Sequence, residues 1–172
     1  MTASEFTAKA MNIVCNYKTL YVMGCYGAPL NTENKIRYTS NHPFNKQPER
    51  FFMINNAGCD TFGFDCVCLI KGILWGWSGD PDDVDGGAVY ASNGVKDVDA
   101  NTLIGPDFCN NISTDFSTII KGEIVWMDDH VGIYIGNGLV VESSPSWENK
   151  VQITKLSARD WLKHGKLKYI EY

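Results

Sequence analysis

Apolar positions follow two different periods along the chain. Near the N-terminus they recur at helical spacing. Phe6, Ala10, Ile13, Val14 and Tyr17 share one face of a predicted helix from Thr2 to about Tyr17. Thr2 and Glu5 match a capping box, in which each side chain satisfies the other's free main-chain donor. A short extended piece follows over 19–27. It is broken by Gly24 and Gly27, where the backbone can come close to a neighbour. Residues 28–59 are rich in Asn, Pro, Lys and Thr with weak periodicity. They read as an inserted surface excursion with a short helix near Arg50 to Asn55. Val67, Leu69, Ile70, Ile73, Leu74 and Trp75 then form the apolar run of a buried helix reaching about Trp77. Cys66 stands in its first turn.

Residues Ser78 to Gly94 are rich in Gly and Asp and read as solvated turns; the spacing and closing glutamate of an EF-hand are missing. Residues Asp97 to Phe116 carry mixed signals, with short helices. From Lys121 the period falls to two. Strands are predicted at Gly122–Met127, His130–Ile135, Leu139–Ser143, Val151–Leu156 and Leu167–Tyr172. Gly136-Asn137-Gly138 is a hairpin turn, and Ser157 to His164 a short helical turn. Helices first and antiparallel strands afterwards is the α+β signature. The length suits one domain over residues 1–172.

Composition narrows the function classes. The net charge is -5 and no Lys/Arg run appears, which argues against a nucleic-acid binder. Nothing is long and apolar enough to span a bilayer, so membrane insertion is not expected. Met1-Thr2-Ala3-Ser4-Glu5-Phe6 lacks the basic and apolar regions of a secretory signal, so synthesis in a reducing cytoplasm is expected. In that setting the six cysteines are not read as a disulfide framework. Cys66 and Cys68 are the only close pair, whereas structural zinc usually shows two, so neither metal nor cofactor is expected.

The candidate chemistry starts at Cys66. A cysteine in a helix's first turn meets free N–H groups and the positive end of the dipole, which favour its thiolate. On that basis Cys66 should be the fastest of the cysteines to react with iodoacetamide. The same stretch also fits a core cysteine at the head of a hydrophobic helix. With a three-residue loop at Asn137, His130 lies opposite Ser144 and diagonal to Glu142. Alternation puts His130, Gly132 and Tyr134 on the less buried face and Val131, Ile133 and Ile135 on the core face. A carboxylate beside an imidazole fixes its tautomer and raises its basicity. Cys66, His130 and Glu142 thus offer a nucleophile, a base and its orienter.

Phe64-Asp65-Cys66 heading an apolar helix, Gly122-Glu123-Ile124-Val125, and His130-Val131-Gly132-Ile133-Tyr134-Ile135-Gly136-Asn137-Gly138 together resemble the NlpC-type papain-like cysteine peptidases of cell-wall turnover. Tyr21-Val22-Met23-Gly24 is similar to that family's Tyr-x-Trp-Gly segment. The resemblance runs from about residue 19 to 145. It implies a papain-like fold, with N-terminal helices, one bearing Cys66, on a C-terminal antiparallel sheet. It implies Cys66 as nucleophile, His130 as base, Glu142 at the third position, and Tyr21 beside the substrate carbonyl or oxyanion with Asp65. Trp147, in a loop close after Glu142, is a candidate substrate contact.

The implied substrate is bacterial peptidoglycan. The implied bond joins D-glutamate to the diamino acid of the stem peptide, and the rival bond joins the lactyl group to L-alanine. A monomeric phage or prophage lysin, reaching the wall through a holin-type pore, fits a cell-wall enzyme without a signal. An acyltransferase or deamidase using the same Cys–His pair, or an inactive binding module, are the other classes. The chain departs from the family at Val67 and Cys68, where Ser-Gly is usual. It departs again at Glu142, where His, Asn or Gln is more common and a glutamate is similar to the related amidase branch.

Overall fold

The computed structural model describes residues 1–172. In chain order it contains α1 (Ala3–Asn16), β1 (Lys18–Tyr21), β2 (Tyr26–Pro29), α2 (Thr32–Asn41), α3 (Pro48–Asn56), β3 (Thr61–Phe64), α4 (Cys66–Leu74), α5 (Ala100–Leu103), β4 (Cys109–Ser113), β5 (Ile124–Met127), β6 (His130–Gly136), β7 (Leu139–Ser144), β8 (Lys150–Lys155) and β9 (Lys163–Leu167). The architecture is α+β. A six-stranded antiparallel sheet runs in the order β4-β9-β5-β6-β7-β8, and a small sheet in the order β1-β3-β2.

Every residue of α4 is buried, which matches its nearly continuous apolar sequence. It shares the main core with Phe6, Ala10 and Ile13 of α1 and with Ile124, Val131, Ile133 and Val141 of the large sheet. The opposite face of that sheet is covered as well. Val125 and Val140 pack there under Trp161, with Phe116, Met127, Tyr134 and Leu156 around them. The face that carries His130 is therefore a second, smaller core rather than an open surface, because the segments after β4 and β8 fold back over it.

The predicted hairpin is tighter than expected. Gly136 pairs with Leu139, so only Asn137 and Gly138 form the turn, at φ 54° and 70°. Positive φ at both positions is what a two-residue hairpin turn of the I′ type requires. A bulge between Tyr134 and Gly136 then restores the register of Ile133 with Val141.

Other differences come from short or polar elements. Residues 28–59 contain two helices, not a loose excursion. The first is polar and is fixed by its own amides: Asn31 caps it, and the buried Asn34 donates to the carbonyls of Pro29 and Val84, both at 2.9 Å. Strands β1 to β3 have four residues each, too few to show a period. The last strand is Lys163–Leu167, not 167–172, and between β8 and this strand the only helical turn is Leu156–Ala158. A buried histidine, His164, interrupts its apolar alternation. The tail turns back instead, and the Tyr172 hydroxyl donates to the Gly122 carbonyl at 2.8 Å.

Candidate active site

Cys66 occupies the first position of α4, and Asp65 caps that helix by accepting the Cys68 N–H at 2.7 Å. The other Asp65 oxygen accepts the Gly24 N–H at 2.8 Å, so both oxygens are committed to main-chain donors. The Cys66 side chain reaches the start of β6, where its thiol donates to the Asp129 carbonyl at 3.9 Å. The residue is only 7% exposed. Burial, reinforced by the adjacent Asp65 carboxylate, pushes the thiol up to about 12. Burial thus works against the thiolate that a first-turn position favours. The helix N-terminus does favour the anion, but desolvation and a neighbouring like charge outweigh it.

His130 opens β6. Its Nε2 lies 2.5 Å from Oε2 of Glu142 on β7. Extending the register of Ile133 with Val141 puts Gly132 opposite Glu142 and His130 two pairs further on, opposite Ser144. The Glu142 side chain is fully buried and takes two further donors, Thr154 Oγ1 at 2.6 Å and Arg159 Nε at 2.7 Å. Burial raises its carboxyl, but the hydrogen bonds from His130 and Thr154 and the charges of His130 and Arg159 outweigh burial and hold it below its ordinary value. The indole of Trp161 stacks on the imidazole, with centroids 5.5 Å apart and planes 15° apart. Nδ1 of His130 makes no hydrogen bond within the protein, and none joins the thiol to the ring.

Cys66 and Asp129 line a cleft of about 710 Å³, together with Tyr21, Asp65, His42, Tyr26, Tyr90 and Lys71. Tyr21 is buried in its wall. Burial, with Cys66 and Asp65 nearby, pushes its phenol up, so it stays a proton donor. Trp147 does not line this cleft. It is 59% exposed, and its ring lies 4.5 Å from the Arg159 guanidinium, on the far side of the network that holds Glu142. No group of three or more His, Cys, Asp or Glu side chains is placed to hold a metal ion.

Sequence reasoning missed Thr154, Arg159, Trp161 and Asn101. Asn101, on α5, accepts the Asp129 N–H at 2.9 Å and the Trp126 indole N–H at 3.0 Å, and donates to the Asp129 carboxylate at 2.6 Å. Of these, only Thr154 carried a signal, as a polar side chain facing Val140 across neighbouring strands, two pairs from Glu142 and so on the same sheet face.

No family model matches the chain, and no curated protein matches it. Among solved structures it is similar to NlpC2 from Trichomonas vaginalis, at 14% identity over 95% of this chain and 45% of that one, with a TM-score of 0.49. It is also similar to NlpC1 from the same organism, at 15% identity over 94% of this chain and 44% of that one, with a TM-score of 0.47. The chain spans less than half the length of either structure.

Proposed function

We propose that this chain is one catalytic unit, a thiol-dependent hydrolase of an amide bond in peptidoglycan. The observation that carries the proposal is the pairing of His130 Nε2 with a buried, charge-balanced Glu142, which leaves Nδ1 free one residue from the carbonyl that receives the Cys66 thiol. A neutral thiol suits general-base attack. As the sulfur bonds to the substrate carbonyl carbon, its proton passes to His130 Nδ1. Catalytic hydrogen bonds are often loose in a free enzyme and tighten with substrate, and substrate would displace the Asp129 contact. Main-chain N–H groups at the start of α4, with the Tyr21 hydroxyl, would meet the developing oxyanion. The carbon–nitrogen bond then breaks, and the departing amine takes the proton from Nδ1. Water, giving a proton to the same nitrogen, attacks the thioester; the acid leaves and the thiol regains its proton.

The sequence motifs around Cys66 and His130 support peptidoglycan as substrate, with the D-glutamyl–diamino acid bond preferred. Glu142 at the third position favours the lactyl–L-alanine bond as the second reading. A monomeric lysin of phage or prophage origin, acting on the wall after release through a holin-type pore, is the setting we propose. The test is mass spectrometry of muropeptides after digestion of purified walls, with Cys66→Ala as control. Shortened stems support the endopeptidase, and whole stems freed from glycan support the amidase. Unchanged walls, or the same products from the mutant, would defeat the hydrolase. Products carrying an added amine would move the assignment to an acyltransferase.

A further inference from the structure

The inserted residues 28–59 reach the stretch Tyr21–Gly24, of which Tyr21, Met23 and Gly24 line the cleft with Cys66. Three side chains make the contact. Asn45 is fully buried. Its Oδ1 accepts the Met23 N–H at 3.0 Å, and its Nδ2 donates to the Met23 carbonyl at 2.9 Å. The His42 ring rests against Gly24, where a Cβ would stand 2.2 Å from its Nε2. The third is Arg50, on α3.

Arg50 is buried and forms no salt bridge. Its Nη2 donates to the Tyr21 carbonyl and its Nη1 to Oδ1 of Asn149. Asn149 in turn accepts the Tyr21 N–H on its own carbonyl at 3.0 Å. The guanidinium carbon is 5.6 Å from the centroid of the Tyr21 ring and 5.4 Å from that of Phe44. Those two rings meet edge to face, 5.9 Å apart at 83°. Nε of Arg50 is buried without a hydrogen-bond partner. Burying a cation with no counter-charge and one donor unsatisfied is costly, and an apolar side chain would fill the same space without that cost. The planar fork does what an apolar group cannot. It joins the Tyr21 main chain to the loop between β7 and β8 while lying against the Tyr21 ring.

The Tyr21 hydroxyl has no strong partner of its own. Its one contact is the Met23 sulfur at 4.0 Å, a weak acceptor. The hydroxyl is therefore unspent, and where it points is set by what holds the ring. We propose that Arg50 is a positioning residue, by which the inserted segment fixes the Tyr21 hydroxyl at the cleft to meet the developing oxyanion. This rests on the hydrolase assignment above and deepens it, since it gives residues 28–59 a part in the reaction. An interaction made only in the transition state acts on kcat rather than on KM.

The experiment is a double-mutant cycle on the full chain: wild type, Arg50→Met, Tyr21→Phe and both together, with kcat and KM measured on purified muropeptides. Tyr21→Phe should lower kcat about 100-fold, as for loss of one oxyanion donor. Arg50→Met should lower it about 10-fold through misplacement of that donor, with KM within about twofold of wild type. In the Tyr21→Phe background, Arg50→Met should cost less than about twofold, because the donor it positions is already gone. Arg50→Lys, whose single ammonium cannot reproduce the fork, should show the same coupled loss at smaller size. A second measurement needs no substrate. Nuclear Overhauser contacts between the Tyr21 and Phe44 rings, present in wild type, should weaken or vanish in Arg50→Met.

An unchanged kcat in Tyr21→Phe or in Arg50→Met would overturn the proposal, as would equal losses from Arg50→Met in the two backgrounds or ring contacts retained in Arg50→Met. A merely structural arginine would lower the unfolding midpoint and the folded fraction, with the same effect in both backgrounds. If Arg50→Met does not fold, Arg50→Lys decides by the same cycle. If wild type leaves muropeptides uncut, the hydrolase assignment falls, while the ring contacts still show whether Arg50 holds Tyr21.

Discussion

Asn101 grips Asp129 at two points, taking its main-chain N–H at 2.9 Å and giving a hydrogen bond to its carboxylate at 2.6 Å. Asp129 has φ 60°, a left-handed conformation that costs a non-glycine residue energy. Its carbonyl is the one that receives the Cys66 thiol, and the next residue is His130. Asn101→Ala removes both bonds and leaves the mostly buried Trp126 indole without its acceptor. We expect a loss of about 1–3 kcal/mol in stability, the cost of unsatisfied buried groups. We also expect lower turnover, because the turn before His130 is freed. Chemical denaturation and steady-state rates on the same preparation check both. A variant as stable and as active as wild type would show that the clamp does not matter.

Glu142 fixes a direction for acid sensitivity. Its carboxyl lies below its ordinary value of 4.5 in the folded protein. The unfolded chain therefore binds a proton at higher pH than the folded one does. The stabilisation is complete above the unfolded value and is lost as pH falls through the folded value. Urea melts from pH 7 to pH 3 should show wild type losing its advantage over Glu142→Gln at the acid end. At neutral pH that variant should be weaker by about 3–5 kcal/mol, as for breaking a buried ion pair. A gap that stays constant with pH would contradict this.

Much of this site is legible in the sequence, and its limits have a physical cause. Alternation along two strands and one glycine turn is enough to bring His130 and Glu142 together, because a hairpin is local and its register follows from its pairing. The head of α4 is legible for the same reason, since Asp65 caps the helix that its own apolar run defines. Arg159 and Asn101 lie in segments without periodicity, and their contacts are made by single side chains across 17 and 28 residues of chain. The state of the Cys66 thiol is not legible either. Sequence reveals the helix dipole that favours its anion, but not the burial that opposes it.

Gly72 lies in the middle of α4 against β2. A Cβ there would stand 2.5 Å from the Tyr26 carbonyl oxygen, which is main chain and cannot turn aside. Alanine is the better helix former by about 1 kcal/mol, so propensity alone predicts a gain for Gly72→Ala. Overpacking costs about 1–3 kcal/mol, and the clash here is with backbone rather than a flexible side chain. We expect net destabilisation, read from the midpoint of denaturant unfolding. Since α4 carries Cys66, a shift of the helix should also lower activity in the fraction that folds. A more stable variant would mean that α4 can move away from Tyr26 at little cost.

Alkylation separates a resting thiol from a resting thiolate. Cys15 and Cys59 are exposed, whereas Cys25, Cys66, Cys68 and Cys109 are buried. Cys66 is pushed up to about 12 by burial and by Asp65. The attacking species is the thiolate, so rates follow its fraction and its access to solvent. At neutral pH, iodoacetamide should therefore label Cys15 and Cys59 first and Cys66 later, the reverse of what a helix N-terminus alone implies. Raising the pH toward 10 should accelerate Cys66 steeply, as its thiolate fraction grows. Peptide mapping by mass spectrometry over a time course gives all the rates at once. If Cys66 is labelled ahead of Cys15 and Cys59 at pH 7, it rests as an anion, and the protonated thiol from which general-base attack starts is not the ground state.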